Sequence, residues 1–204
     1  QAMEMVNRGV MPWDVDAAFN SFGFKMGPFQ MSDLAGLDIG WKKGAKTNSP
    51  IRDALCELDR RGQKTGAGYY DYDENMQRVP SDVTTKIIED VTGIASGAGT
   101  LSGEEIIEIC VFPMINEAVK IMEENKAQRA SDIDVVWAYG YGWPGDKGGP
   151  MFYGDQVGAD KVLAVMEKLA AQDPRFATAE TLKKLAAEGG KFTELDTGGL
   201  KTGA

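Results

Sequence analysis

The residues of this 204-residue chain with types and spacing suited to chemistry are acids in a repeated template, two cysteines and two glycine-rich loops. The template G-P-x-x-x-x-D-x-x-G-x-D occurs twice. One copy runs from Gly27-Pro28 through Asp33 and Gly36 to Asp38, the other from Gly149-Pro150 through Asp155 and Gly158 to Asp160, and matched positions lie 122 apart (149 against 27). Gly and Pro encode backbone geometry, so agreement at all five positions marks a duplicated unit. Upstream, Asn7, Asp14 and Asp16 face Asn125, Asp132 and Asp134 at a spacing of 118 (125 against 7), which places a four-residue insertion before the second Gly-Pro. Two carboxylates can act as general acid and base, but catalysis needs one copy while structural acids recur in both. Asp33, Asp38, Asp155 and Asp160 are therefore expected to cap helices or accept internal hydrogen bonds.

The sequence contains no histidine, which removes every mechanism that needs an imidazole base, ligand or triad member from this chain acting alone. Cys56 and Cys110 sit in apolar helical patterns and read as buried thiols in a reducing compartment, and no metal site is expected. Gly140-Tyr-Gly-Trp-Pro-Gly145 fits G-x-G-x-x-G. A dinucleotide fingerprint must open a helix, however, and Asp146-Lys-Gly-Gly-Pro150 cannot continue as one. Lys64-Thr-Gly-Ala-Gly68 lacks the order of a phosphate loop and reads as structural.

Helical periodicity dominates the elements that must carry these residues. Ser102 and Glu105 form a capping box ahead of an apolar stripe reaching Asn125, with Pro113 inside it. Further helices are expected from Ser131, and at residues 30–43, 50–61, 81–95, 158–171 and 179–188. Gly68 to Tyr72 reads as a short extended segment rather than a sheet strand. Pro28 and Pro150 are expected in the first turns of helices. These patterns give an all-α fold of two tandem homologous helical domains, at 1–72 and 103–204, joined by a connector at 73–102 with one helix. Pseudo-twofold packing of the pair is expected, as in a duplicated homodimer.

The formal net charge of -9 argues against a nucleic-acid partner. No stretch is long and apolar enough for a membrane span, and no signal-peptide pattern opens the chain. A soluble, cytoplasmic protein is the expectation. Gln1 falls inside an apolar-periodic segment, the pattern of an N-terminal truncation, and residues 199–204 lack a peroxisomal S-K-L ending.

Phe22-Gly-Phe-Lys-Met-Gly-Pro-Phe29, Asp33-Leu-Ala-Gly-Leu-Asp38 and Lys64-Thr-Gly-Ala-Gly-Tyr-Tyr70 together resemble the C-terminal domain of 3-hydroxyacyl-CoA dehydrogenases. Asn116-Glu-Ala118, Ala127 to Val136, Gly140 to Pro144 and Gly148 to Tyr153 extend the likeness to the tandem C-terminal domains of multifunctional fatty-acid oxidation enzymes. The resemblance implies NAD-dependent oxidation of L-3-hydroxyacyl-CoA in β-oxidation. The family's His, its orienting Glu and the NAD fingerprint lie in a Rossmann domain, expected upstream in the same polypeptide. Asn7-Arg8 mimics a family Asn-Arg pair but sits at a helix end, so no catalytic or cofactor-binding residue is carried over. The isolated chain is expected to bind NAD weakly or not at all and to be inactive. By resemblance, the first domain helps enclose the acyl-CoA substrate, with Met26, Gly27, Pro28 and Phe29 as the substrate-binding wall, and the second stands in for a partner subunit. The competing reading is a non-catalytic helical module that assembles with thiolase or with itself.

Overall fold

In the computed structural model, which describes residues 1–44 and 46–197, ten α-helices dominate and the fold is all-α. Along the chain these are α1 (Ala2–Val6), α2 (Pro12–Phe22), α3 (Pro28–Ala35), α4 (Pro50–Glu57), α5 (Asp82–Thr92), α6 (Gly103–Glu123), α7 (Ala130–Gly140), α8 (Pro150–Val157), α9 (Ala159–Gln172) and α10 (Glu180–Glu188). The residues at 199–204 lie outside the described region. Two compact units form, one from Gln1–Ser21 with Lys25–Gly103, the other from Phe22–Phe24 with Glu104–Ala204.

Within the first unit, α3 is shorter than its periodicity suggests. Gly36 ends it, and the Leu37 N–H turns away to donate to the Arg61 carbonyl at 3.1 Å. The segment expected as a lone extended stretch does pair: β1 (Asp71–Tyr72) runs antiparallel to β2 (Arg78–Val79), with Asp71 opposite Val79. Asp73 makes this ribbon possible, because its carboxylate accepts the N–H groups of Asn75 and Gln77 in the connecting turn. The helix of the expected connector, α5, is capped by the Ser81 hydroxyl and packs on α4. Arg60 fastens it. Its buried guanidinium donates to the Gly68 carbonyl at 3.1 Å and the Ser81 hydroxyl at 2.8 Å, and pairs with Asp71 at 2.7 Å.

In the second unit α6 runs through Pro113 without ending there. Its Phe112, Ile115, Val119 and Met122 join Met151, Val162, Met166, Leu182 and Phe192 in one core. Burial of such side chains contributes roughly 1.5–3 kcal/mol each, and this core is what orders α8, α9 and α10 around the long helix.

The ends of α1 and α6 correct the expected upstream register. The Gly9 N–H donates to the Val6 carbonyl and that of Val10 to Met5. Asn125 donates to Met122 in the same way, and Lys126 to Ile121. Gly9 and Asn125 both adopt positive φ, 90° and 55°. Asn125 therefore matches Gly9, 116 positions away (125 against 9), and not Asn7. The second unit holds two more residues between helix end and acid than the first.

Candidate functional site

Asp16, on α2, shapes the turn that carries the four candidate residues. Its buried carboxylate accepts the Phe29 N–H at 3.0 Å and the Gln30 N–H at 2.8 Å, two first-turn donors that α3 cannot satisfy internally, and also the Tyr70 hydroxyl at 2.8 Å. Pro28 takes the first helical position, as its missing N–H allows. The Gln30 side chain folds back to accept the Gly27 N–H at 3.0 Å. A Cβ on Gly27 would fall inside the Asp16 carboxylate, so the residue must be glycine for α2 and α3 to close on each other. Burial raises the Asp16 pKa, opposed by its hydrogen bonds to Phe29, Tyr70 and Gln30.

The second template acid works in the same way. Asp33 accepts the N–H groups of Tyr69 and Tyr70 at 2.9 and 3.0 Å and the Tyr72 hydroxyl at 3.0 Å, locking the Gly-Tyr-Tyr segment onto α3. Lys64, from the glycine-rich loop, pairs with Asp38. These acids are consumed in structure, as the sequence suggests. In the second unit, Asp134 accepts from Met151 at 2.8 Å and Phe152 at 3.1 Å at the start of α8, and Asp155 accepts from Phe192 at 2.6 Å. Sequence reasoning aligned Asp16 with Asp134 but gave them no role. Their signal was an acid at the matched place in both helices, upstream of a helix whose Gly-Pro start leaves no capping side chain.

The four candidate residues do not form one surface. Met26 is half-buried, Gly27 is buried against Asp16, and Phe29 is buried with its ring edge-on to Tyr69 at 4.8 Å between centroids. Pro28 and Phe29 border a cleft of about 410 Å³ whose other walls include Met3, Leu37, Ile39, Ser49 and Arg52.

The second unit builds an aromatic cluster instead. Trp143 contacts Phe22, Phe24, Trp137 and Tyr153 with centroids 5.7–6.2 Å apart, and Lys147 lies 5.6 Å above the Phe22 ring. Here Gly140 ends α7, and Gly145 opens a single turn that stops at Lys147. A pyrophosphate held at a helix N-terminus does not fit this loop, so the G-x-G-x-x-G match is structural. Burial pushes the Cys110 thiol up to about 12 and raises Cys56 as well, which keeps both thiols protonated at neutral pH. The tyrosines around Asp16 and Asp33 are likewise raised by burial first and by those carboxylates second. The arrangement can shape and line a site. Its buried thiols and phenols stay protonated at neutral pH, and its buried carboxylates Asp16, Asp33 and Asp134 are each engaged by two backbone N–H groups.

Comparison with known proteins gives a consistent result. The family model for the 3-hydroxyacyl-CoA dehydrogenase C-terminal domain matches residues 1–72 and 106–200. The chain is 40% identical over 215 residues to the peroxisomal bifunctional enzyme of Homo sapiens, covering 93% of this chain and 30% of that protein. It is 35% identical to the enzyme of the same name from Danio rerio, with the same coverage. It thus spans about 30% of the length of these curated relatives. Among solved structures, the dehydrogenase part of multifunctional enzyme 1 from C. elegans superposes with a TM-score of 0.65 at 30% identity, covering 85% of this chain and 42% of that one. The 3-hydroxybutyryl-CoA dehydrogenase of Escherichia coli shares the fold, with a TM-score of 0.59 at 20% identity over 89% of this chain and 55% of that one. The expected cytoplasmic location is overturned by the peroxisomal relatives. Among the described residues no helix is long and apolar enough to cross a membrane, which does not distinguish the two compartments.

Proposed function

We propose that this chain, which belongs to the 3-hydroxyacyl-CoA dehydrogenase C-terminal domain family, is the C-terminal part of a peroxisomal bifunctional enzyme that oxidises L-3-hydroxyacyl-CoA to 3-ketoacyl-CoA in β-oxidation. The observation that carries the reading is the family match across both stretches, 1–72 and 106–200, together with 40% identity to the human peroxisomal enzyme. In such an enzyme NAD accepts the hydride. Its seat belongs to a Rossmann domain of the same polypeptide, since the one fingerprint-like loop here has the wrong geometry and the chain has no histidine to take the hydroxyl proton.

This chain's own contribution is positional. Asp16, Gly27, Pro28 and Phe29 fix the turn, and Met26, the half-exposed member before the buried Gly27, offers an apolar surface to the acyl chain. The test is complementation. Alone, the 204-residue chain should form no NADH from 3-hydroxyacyl-CoA, and mixing it with the separately expressed nucleotide-binding half of the same enzyme should restore turnover. NADH formation by the chain alone, or no turnover with a folded, NAD-binding half, would overturn the reading.

A further inference from the structure

The two Gly-Pro turns satisfy the same backbone group in different ways. The N–H of the glycine ahead of each helix has no intrahelical acceptor and must find another. In the second unit the Gly149 N–H donates to the Lys147 carbonyl at 2.9 Å, which closes a three-residue turn centred on Gly148 at φ 73°. In the first unit the Gly27 N–H donates instead to the Gln30 Oε1 at 3.0 Å, and Met26 keeps a negative φ. By the template, Gly148 stands at the place of Met26 (148 against 26) and Phe152 at the place of Gln30 (152 against 30), each 122 apart.

This exchange decides whether a side chain fits ahead of the glycine. A Cβ on Gly148 would lie 2.6 Å from the Phe152 ring, and its positive φ would strain any side chain there. Phe152 is 46% exposed, so the second unit draws its outer apolar surface at this place from the helix. Gln30 is 5% exposed, and its Nε2 donates to the Asn20 Oδ1 at 3.0 Å. With the Gln30 amide in place of both the ring and the tight turn, position 26 has room for a methionine.

The acids beneath the turns recur in both units and are structural. The amide pair does not recur, because Asn20 and Gln30 face Ala138 (138 against 20, a spacing of 118) and Phe152. It is confined to the turn that bears Met26. We propose that Gln30, steadied by Asn20, is a positioning residue for acyl-chain recognition: its cap on Gly27 sets Met26 as the apolar side chain that meets the acyl chain, and Gln30 itself touches no substrate. The proposal rests on the reading of this chain as part of a hydroxyacyl-CoA dehydrogenase whose first Gly-Pro turn faces the acyl group.

The test is a double-mutant cycle in the full-length enzyme, read by steady-state kinetics on long-chain and short-chain 3-hydroxyacyl-CoA. Gln30→Phe should raise KM for the long-chain substrate about fivefold or more, the scale of a lost apolar contact. The kcat, NAD affinity and short-chain KM should change less than about twofold. Gln30→Glu keeps an acceptor for the Gly27 N–H and should recover most of the affinity that Gln30→Phe loses. In a Met26→Gly background, where KM is already raised, Gln30→Phe should add nothing further, because its effect passes through Met26. Should Gln30→Phe fold poorly, Gln30→Leu, which deletes the acceptor without adding a ring, takes its place in the cycle. An unchanged long-chain KM, or an equal rise with and without Met26, would overturn the proposal. A parent enzyme that oxidises no hydroxyacyl-CoA would instead overturn the functional reading, and the proposal with it.

Discussion

Replacing Asp16 with Asn tests the hydrogen-bonded turn most directly. The carboxylate receives three donors within 3.0 Å, from Phe29, Gln30 and Tyr70. Hydrogen bonds to a charged group contribute about 1.5–3 kcal/mol each. Asn retains one acceptor oxygen and aims an amide N–H at a helix N–H, so one backbone donor at least is left buried and unpaired. Relief from burying a charge offsets part of this, leaving a net loss of about 2–4 kcal/mol. In a unit of this size that corresponds to a fall in unfolding midpoint of roughly 10–25 °C, followed by circular dichroism. Tyr70→Phe removes a single donor to the carboxylate and should cost about 1.5–3 kcal/mol.

The pH dependence supplies the sign. Burial raises the Asp16 pKa, so the folded chain binds this proton at a higher pH than the unfolded chain does. The group therefore adds stability as pH falls through its folded pKa, and that stability is lost as pH rises through it. The Asn variant does not titrate there. The stability gap between parent and variant should widen as pH is lowered from 7 towards the unfolded value of about 3.9. A gap that narrows on acidification, or a loss below about 1 kcal/mol at neutral pH, would refute the reasoning.

Gly149→Ala should destabilise the second unit by about 3 kcal/mol or more in urea melts, because the residue sits at φ 139° and a Cβ would meet the Asp134 side chain. Arg60→Met removes a buried guanidinium and leaves the Gly68 carbonyl and the Ser81 hydroxyl with only their longer bonds from Thr84. A loss of about 3–5 kcal/mol is expected, with hydrogen exchange accelerating first in α5. In the full-length enzyme, Met26→Ala should raise KM for hydroxyacyl-CoA several-fold with NAD affinity unchanged. Phe29→Ala, by contrast, should act through stability, at about 3–5 kcal/mol, since its ring is buried against Tyr69.

The helical class and the Gly-Pro helix starts were legible because periodicity and proline geometry are local properties. So was the structural use of Asp33 and Asp155, since their repetition argued against catalysis. The Asp16 and Asp134 contacts were not legible: each acid reaches a backbone 13 or more residues away, and only the fold brings them together. The Asn7 to Asn125 match failed because identical letters need not share a helix position; the φ values of Gly9 and Asn125 decide that. Sequence located the turn, but which of Met26, Pro28 and Phe29 faces outward depends on how α2 and α3 close on Asp16.

The buried acid at a helix start occurs once in each unit, with two backbone donors apiece. One molecule therefore holds two replicates of a single arrangement, with a tyrosine hydroxyl on Asp16 and, among the described residues, none on Asp134. Any change at Asp16 can be judged against Asp134 in the same tube, at the same pH, salt and temperature. Each unit serves as the internal standard for the other, an advantage that proteins with one such acid do not offer.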